Sequence, residues 1–557
     1  MGFITIFAFL FLFSKNMKPV SLWLIVIFVF SIDSLLSQET QMFRLYLKDK
    51  GNPPFSLVHP EDFLSLKSIE RRQRQHLPVD SADLPLDPAY MEAITETGAT
   101  IQTFSKWEKT VVVHLSDMEI LPRLKNLPFV DSAYCVWKGN LPKKMGIPEK
   151  DIPLSSTFRD DIANSYGSGF IQIALNNGHL LHDAGFRGKG MSIGVLDGGF
   201  VNVDKIGYFN QQQIKEIKNF NHETTDMLRE GADHGTRVLS CMLSDKSGEM
   251  IGTAPEADYY LFRTEVMDEE FPVEEDYWIA GLEYADSLGV DIVTSSLGYF
   301  TFDDAAMNHT QAQLDGQTVP VSRAANLAAS RGILLFNSAG NEGRDNWGKI
   351  IFPADAENII TVGSVDKDSV RSNFSSVGFT ADERIKPDVM ALGSGDNVVE
   401  SSNIIVQSNG TSFSTPVMAG LAACLWEALP GLDSFEMLHL LRETADRFQH
   451  PDSLMGYGIA NVYKAYANNQ PTGFQSVAVP KPDYLSVSAF DNRLYINLID
   501  PEQYRRCTID IYTTLGNRIL TVSNLSGSID ISPFPKGIYI VSLRMDDKQW
   551  VRKFIKS

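Results

Sequence analysis

Residues 191–199 read Met191-Ser192-Ile193-Gly194-Val195-Leu196-Asp197-Gly198-Gly199. A short apolar run closed by Asp-Gly-Gly fits a strand buried on both faces that ends in a turn. The pattern returns at Asp258–Phe262, Asp291–Ser296, Gly332–Ser338 and Ile359–Val365. Helix-like stretches such as Tyr277–Leu288 and Val321–Ser330 lie between several of these runs. Buried strands alternating with helices predict an α/β domain over residues 171–467, a mainly parallel sheet with helices on both faces. Reactive side chains in such sheets gather at the carboxyl ends of the strands, which makes Asp197 the first candidate.

The pattern changes on either side of this domain. Over residues 38–140, strand-like runs (Phe43–Leu47, Thr110–Leu115, Phe129–Trp137) mix with helix-like ones (Pro60–Arg74, Met118–Leu127), as in a small α+β domain. Residues 141–170, rich in Pro, Lys, Asp and Ser, read as a linker, and residues 468–482 as a second one. Short alternating strands follow at Leu485–Val487, Leu494–Ile496, Thr508–Tyr512, Arg518–Val522, Gly537–Leu543 and Trp550–Ile555, predicting a β-sandwich over 483–557. At the other end, apolar runs Phe3–Phe13 and Val20–Phe30 flank Met17-Lys18. Read from Met17, residues up to 37 have a cationic start, an apolar core and a small residue, Ser37, at the cut, the layout of a secretory signal peptide. The rival, a membrane anchor, needs an apolar span of ~20 residues, longer than the second run.

Acidic residues number 69 against 49 basic ones, a net charge of -20. That balance excludes nucleic acid as the expected partner, because phosphate binding needs clustered cations. The four cysteines, Cys135, Cys241, Cys424 and Cys507, form no CxxC pair, so neither a zinc knuckle nor a dense disulfide framework is expected. Cys241 and Cys424 sit in apolar stretches and read as buried thiols.

Three segments of the central domain each carry one reactive residue. Asp197 ends the first strand; His234 stands in Asp233-His234-Gly235-Thr236 before an apolar helix; Ser412 stands in Asn409-Gly410-Thr411-Ser412-Phe413-Ser414-Thr415-Pro416 before the helix Val417–Leu429. Singly, these are a turn Asp, a packed or capping His and an N-cap Ser. Jointly they supply what acyl transfer from an alcohol requires: a nucleophile, a base beside it and a carboxylate to orient the base. Asn341, in Ser338-Ala339-Gly340-Asn341-Glu342-Gly343 after a strand, adds a donor for the oxyanion, and the helix at Ser412 adds its positive end.

These blocks resemble the signatures of the subtilases, as do Gly252-Thr253-Ala254-Pro255, Ser296-Leu297-Gly298, Phe352-Pro353-Ala354 and Lys386-Pro387-Asp388. The resemblance covers roughly residues 170–467. It implies a subtilisin-like fold and a serine endopeptidase with Asp197, His234 and Ser412 as triad, Asn341 and the Ser412 N–H as oxyanion hole, and Ser296, Leu297 and Gly298 as the edge that pairs with extended substrate. Residues 38–140 resemble an inhibitory propeptide that acts on its own enzyme. Leu515-Gly516-Asn517, Ile529-Asp530-Ile531 and Lys536–Val541 resemble type IX secretion sorting domains, although Val479-Pro480-Lys481-Pro482 stands where such domains often carry Asn-Pro. Secretion or surface attachment across both membranes of a Gram-negative bacterium follows from that likeness. The chemistry requires no cofactor, the family allows a structural calcium for which no compact ligand loop is found, and a monomer is expected.

An inactive relative serving as a surface binding module is the principal rival, disfavoured because no triad or oxyanion residue is missing. A metallopeptidase would need a second His at helical spacing from His222-Glu223, which Thr224-Thr225-Asp226 does not provide. A lipase-like esterase would need a G-x-S-x-G elbow around Ser412. Two positions depart from the family pattern. Tyr299 replaces a common Gly and is expected to narrow the P1 pocket wall, and Phe413 replaces a common Met. His234 must be neutral to act as base, so activity should fall on acidification through its pKa, roughly 6.5 for a reference His. Phe cannot form a sulfoxide, so activity should survive brief peroxide exposure; rapid loss that Phe413→Ala leaves unchanged would place the oxidation elsewhere.

Overall fold

The computed structural model describes residues 40–139, 152–153, 163–221, 226–469, 486–490, 493–497, 508–514, 516–523, 529–545 and 548–556. The signal-peptide segment, most of both linkers, His222-Glu223, Val479–Pro482 and Cys507 lie outside the described residues. The chain divides into two compact units, one within residues 1–71 and 79–468, the other within 72–78 and 469–557.

A seven-stranded sheet organises the first unit, in the order Val389–Leu392, Ile360–Val365, Leu334–Ser338, Ile292–Ser295, Ser192–Asp197, Asp258–Arg263, Ile214–Asn219. All neighbouring pairs are parallel. Every residue of Ser192–Asp197 is buried, as expected for a strand covered on both faces. In register, Val195 stands between Leu261 on one side and Thr294 on the other. The helices His234–Leu243 and Thr411–Ala428 pack together in one layer against the sheet, and Val273–Leu288 with Pro320–Ser330 in another. Successive strands Asp258–Arg263 and Ile292–Ser295 flank Ser192–Asp197 on opposite sides, so the strand order reverses there. Such reversals open a crevice at the carboxyl ends.

Some elements carry little sequence signal. Ile214–Asn219 holds alternating charges and is only half-buried, as an edge strand can be. The antiparallel pair Ser394–Val399 and Ile405–Asn409 leads directly into the Thr411 helix.

Residues 40–139 form a four-stranded antiparallel sheet, ordered Thr100–Ser105, Thr110–Leu115, Gln41–Leu47, Val130–Lys138. The single helix expected over Pro60–Arg74 is instead a short turn at Pro60–Asp62 and a helix at Leu66–Arg74. Ser65 explains the break: its Oγ accepts from the Ser68 N–H at 3.1 Å and begins the helix afresh.

The sheet of residues 40–139 sits on the Val273–Leu288 helix. Val112 and Val136 share an apolar cluster with Phe271, Val273 and Tyr277. Buried Arg44 donates to Asp276 at 2.7 Å and to Glu275 at 3.3 Å. Glu283 accepts from the Ser105 hydroxyl and from the Trp107 N–H.

The second unit has two antiparallel sheets, one of Arg518–Ser523, Thr508–Thr513, Gly537–Met545 and Lys548–Lys556, the other of Ser486–Phe490, Arg493–Asn497 and Ile529–Asp530. Leu494 and Ile496 of one meet Ile509, Val541 and Leu543 of the other in a common core.

Removing Arg44 would leave buried Asp276 without its cation, while Glu275 keeps His309 Nε2 at 2.6 Å. Arg44→Ala should destabilise the Ser412→Ala precursor by about 3–5 kcal/mol, measured by urea denaturation. An unchanged midpoint would contradict the buried ion pair.

Candidate active site

Asp197 ends the central strand with no exposed surface. Its Oδ1 accepts from the Gly198 N–H at 2.7 Å and lies 2.7 Å from His234 Nδ1. A carboxylate only accepts, so Nδ1 carries the proton, and in the neutral ring Nε2 holds the lone pair. His234 opens its helix with its side chain 26% exposed. The next residue must be small: a Cβ on Gly235 would meet the Gly199 carbonyl at 2.5 Å, while its N–H donates to that oxygen at 2.9 Å. The His-Gly pair thereby fixes the helix start against the Asp-Gly-Gly turn.

Ser412 is the second residue of the Thr411–Ala428 helix. Pro416, four residues on, has no N–H to give the Ser412 carbonyl. The Ser296 hydroxyl donates to that carbonyl instead, at 2.7 Å. Ser412 Oγ lies 3.5 Å from the Ser296 carbonyl in turn. Strand end and helix start are thus tied through both residues.

Asn341 is oriented by Thr411, whose N–H and hydroxyl both donate to Oδ1, at 2.9 and 3.0 Å. That turns Nδ2 toward Gly410. A Cβ at 410 would lie 3.7 Å from Asn341 Nδ2 and 3.6 Å from the Ser412 nitrogen. Two N–H donors therefore border one space, and glycine leaves it open. His234, Asn341 and Ser412 line a cleft of about 320 Å³ together with Ser296, Leu297 and Gly298. Asp197 supports it from behind through His234. A hydroxyl, an imidazole with an acceptor nitrogen and paired N–H donors can attack a carbonyl, move a proton and hold an oxyanion.

Residues 188–458 match the family model described as the subtilase family. These residues form a subtilase domain. Residues 42–151 match a peptidase S8 propeptide domain of the Bacteroidota, and residues 490–557 a secretion system C-terminal sorting domain. Similar proteins include subtilisin NAT of Bacillus subtilis subsp. natto, 27% identical over 320 residues, 57% of this chain and 76% of the relative. Serine protease AprX of Bacillus subtilis (strain 168) is 29% identical over 320 residues, 52% of this chain and 67% of the relative. The fold also matches the crystal structure of an epidermin leader peptide processing serine protease from Staphylococcus aureus, with TM-score 0.53 and 16% identity over 77% of this chain and 99% of that one.

Within this subtilase cleft, several residues had no role in the sequence reading. Glu265, Glu270 and Glu342 line it. Burial, then the Asp197 charge, pushes the Glu265 carboxyl up to about 7. Burial and the neighbouring Asp345 do the same for Glu342, also to about 7. Thr411 was legible only as part of a motif, and Ser296 only as backbone; the Ser412/Pro416 spacing was the signal that a carbonyl needed a partner.

Tyr299 requires a correction. It is fully buried and is not itself among the residues that line the cleft; its hydroxyl donates at 2.8 Å to Oε1 of Glu265, which does line it, so Tyr299 acts on the cleft through Glu265. Phe413 is also fully buried, its ring centroid 5.9 Å from that of His234. Among the described residues, no group of three or more His, Cys, Asp or Glu could hold a metal ion, so none is assigned to calcium.

Ser296→Ala would strand the buried Ser412 carbonyl. The precursor should lose about 1–3 kcal/mol, read by urea denaturation, and the processed enzyme should lose turnover. Equal stability and turnover would show that the hydroxyl is dispensable.

Proposed function

We propose that this serine endopeptidase cleaves polypeptides through an acyl-enzyme on Ser412. His234 Nε2 takes the proton from Ser412 Oγ as the oxygen bonds to the substrate carbonyl carbon. Asn341 Nδ2 and the Ser412 N–H receive the oxyanion. As the tetrahedral centre collapses and the C–N bond breaks, His234 returns the proton to the leaving amine. Water, deprotonated by the same imidazole, then hydrolyses the ester and frees Ser412. Asp197 holds the ring in the required tautomer and stabilises the imidazolium. No cofactor enters any step.

One observation carries this reading: His234, held at 2.7 Å by buried Asp197, shares a cleft with Ser412 and Asn341. Ser296–Gly298 borders the same cleft, where an extended substrate could pair with its backbone. An inactive binding module is disfavoured because every group the chemistry needs is present.

The sorting domain marks the chain for export and for secretion or surface attachment. We infer passage across both membranes of a Gram-negative cell, as a monomer, with the propeptide bound to its own catalytic domain as inhibitor. No described helix is long and apolar enough to cross a membrane.

Processed protein should hydrolyse casein. Ser412→Ala should lower the rate roughly 10⁶-fold, as loss of a triad nucleophile does, and Asn341→Ala by roughly 10²–10³-fold, mostly in kcat. Full hydrolysis by Ser412→Ala would refute the mechanism.

A further inference from the structure

The cleft is acidic on one side. Glu265 and Glu270 line it together with the proposed catalytic groups, and among the described residues its lining contains no Lys or Arg. Glu265 Oε1 accepts from two hydroxyls, Tyr299 at 2.8 Å and Thr264 at 3.0 Å, neither of them a cation. Buried Tyr299 directly follows Gly298, so this bond ties Glu265 to the Ser296–Gly298 segment where substrate is proposed to lie. Glu270 is held in place by paired backbone contacts: its N–H donates to Asp303 Oδ2 at 3.2 Å, and the Asp303 N–H donates to its carbonyl at 2.9 Å.

The propeptide already places a neutral donor and a cation on the adjoining residues. At the end of its last strand, Trp137 Nε1 donates to Glu269 at 2.7 Å and the Lys138 ammonium to Asp304 at 2.5 Å. Glu269 and Asp304 are the chain neighbours of Glu270 and Asp303. A polypeptide side chain is thus seen meeting this carboxylate rim.

We infer that Glu265 and Glu270 form a specificity subsite that selects a Lys or Arg side chain of the polypeptide substrate on the N-terminal side of the scissile bond. This rests on the reading of the cleft as a peptidase site. Burial makes the charge on Glu265 costly, and the hydrogen bonds to its carboxylate from the described residues come from two hydroxyls. A substrate ammonium or guanidinium would supply a full counter-charge in a partly desolvated site, where such pairs discriminate well. A neutral side chain would leave the carboxylate uncompensated, so the preference combines attraction with rejection.

The test uses processed protein and matched peptide pairs that differ only in Lys against norleucine at each position N-terminal to the cleaved bond. Wild type should favour Lys at one such position by roughly tenfold or more in kcat/KM, and the preference should shrink at high salt. In the Glu265→Gln, Glu270→Gln double variant the Lys-to-norleucine ratio should fall to near one. A ratio near one in wild type, or one unchanged in the double variant, overturns the subsite. A fluorophosphonate probe separates this from failure of the mechanism. Labelled Ser412 without a Lys preference defeats the subsite alone, whereas unlabelled Ser412 with both peptides intact defeats both.

Discussion

A carboxylate taken wholly out of water keeps its charge only where donors meet it. Asp197 is wholly buried, and its Oδ1 meets the Gly198 N–H and His234 Nδ1. The rest of the cleft follows from satisfying it. His234 must open its helix directly over the strand end, which requires the glycines at 199 and 235, because a Cβ at either would collide with neighbouring backbone at 2.5 Å. Once Nδ1 is committed, Nε2 faces the cleft as acceptor. The tautomer is therefore set by burial as much as by hydrogen bonding.

The second anchor is the Thr411–Ala428 helix. Pro416 removes one intrahelical bond, and the freed Ser412 carbonyl is met by Ser296 from the end of a neighbouring strand. Thr411 orients Asn341 from the same turn. The proposed nucleophile, oxyanion donor and substrate edge are thereby referenced to one helix start. Its unsatisfied N–H groups add positive potential where negative charge would develop.

Much of this was legible in the residues. Runs such as Ser192–Asp197 and Leu334–Ser338 are buried throughout and largely apolar, with no alternation of polar and apolar residues, because they are covered on both faces, and that pattern predicts a parallel sheet. Asp197, His234, Ser412 and Asn341 were legible because chemistry demands that set at strand and helix ends. Ile214–Asn219 was not, since an edge strand exposed to water can carry charges that mimic a loop. The break at Ser65 was hidden because capping competes with continuation of the helix, and composition alone does not decide between them. Tyr299 was read as pocket wall because the family pattern locates a residue in the chain and says nothing of its rotamer; it is buried behind Glu265, which lines the cleft in its place. The acidic lining was invisible in sequence, as Glu265, Glu270 and Glu342 converge only through the crossings of the sheet.

The propeptide uses the same physics in reverse. Its Arg44 neutralises buried Asp276 and Glu275, and its last strand covers carboxylates beside the cleft. Ser412 is proposed to form a covalent acyl bond with substrate. The most direct measurement of that bond is rapid acid quenching of processed protein with an excess of ester or peptide substrate, followed by peptide mapping by mass spectrometry. An acyl mass on the peptide containing Ser412, absent in Ser412→Ala, is the predicted result. Turnover with no adduct, or an adduct on another residue, would contradict it.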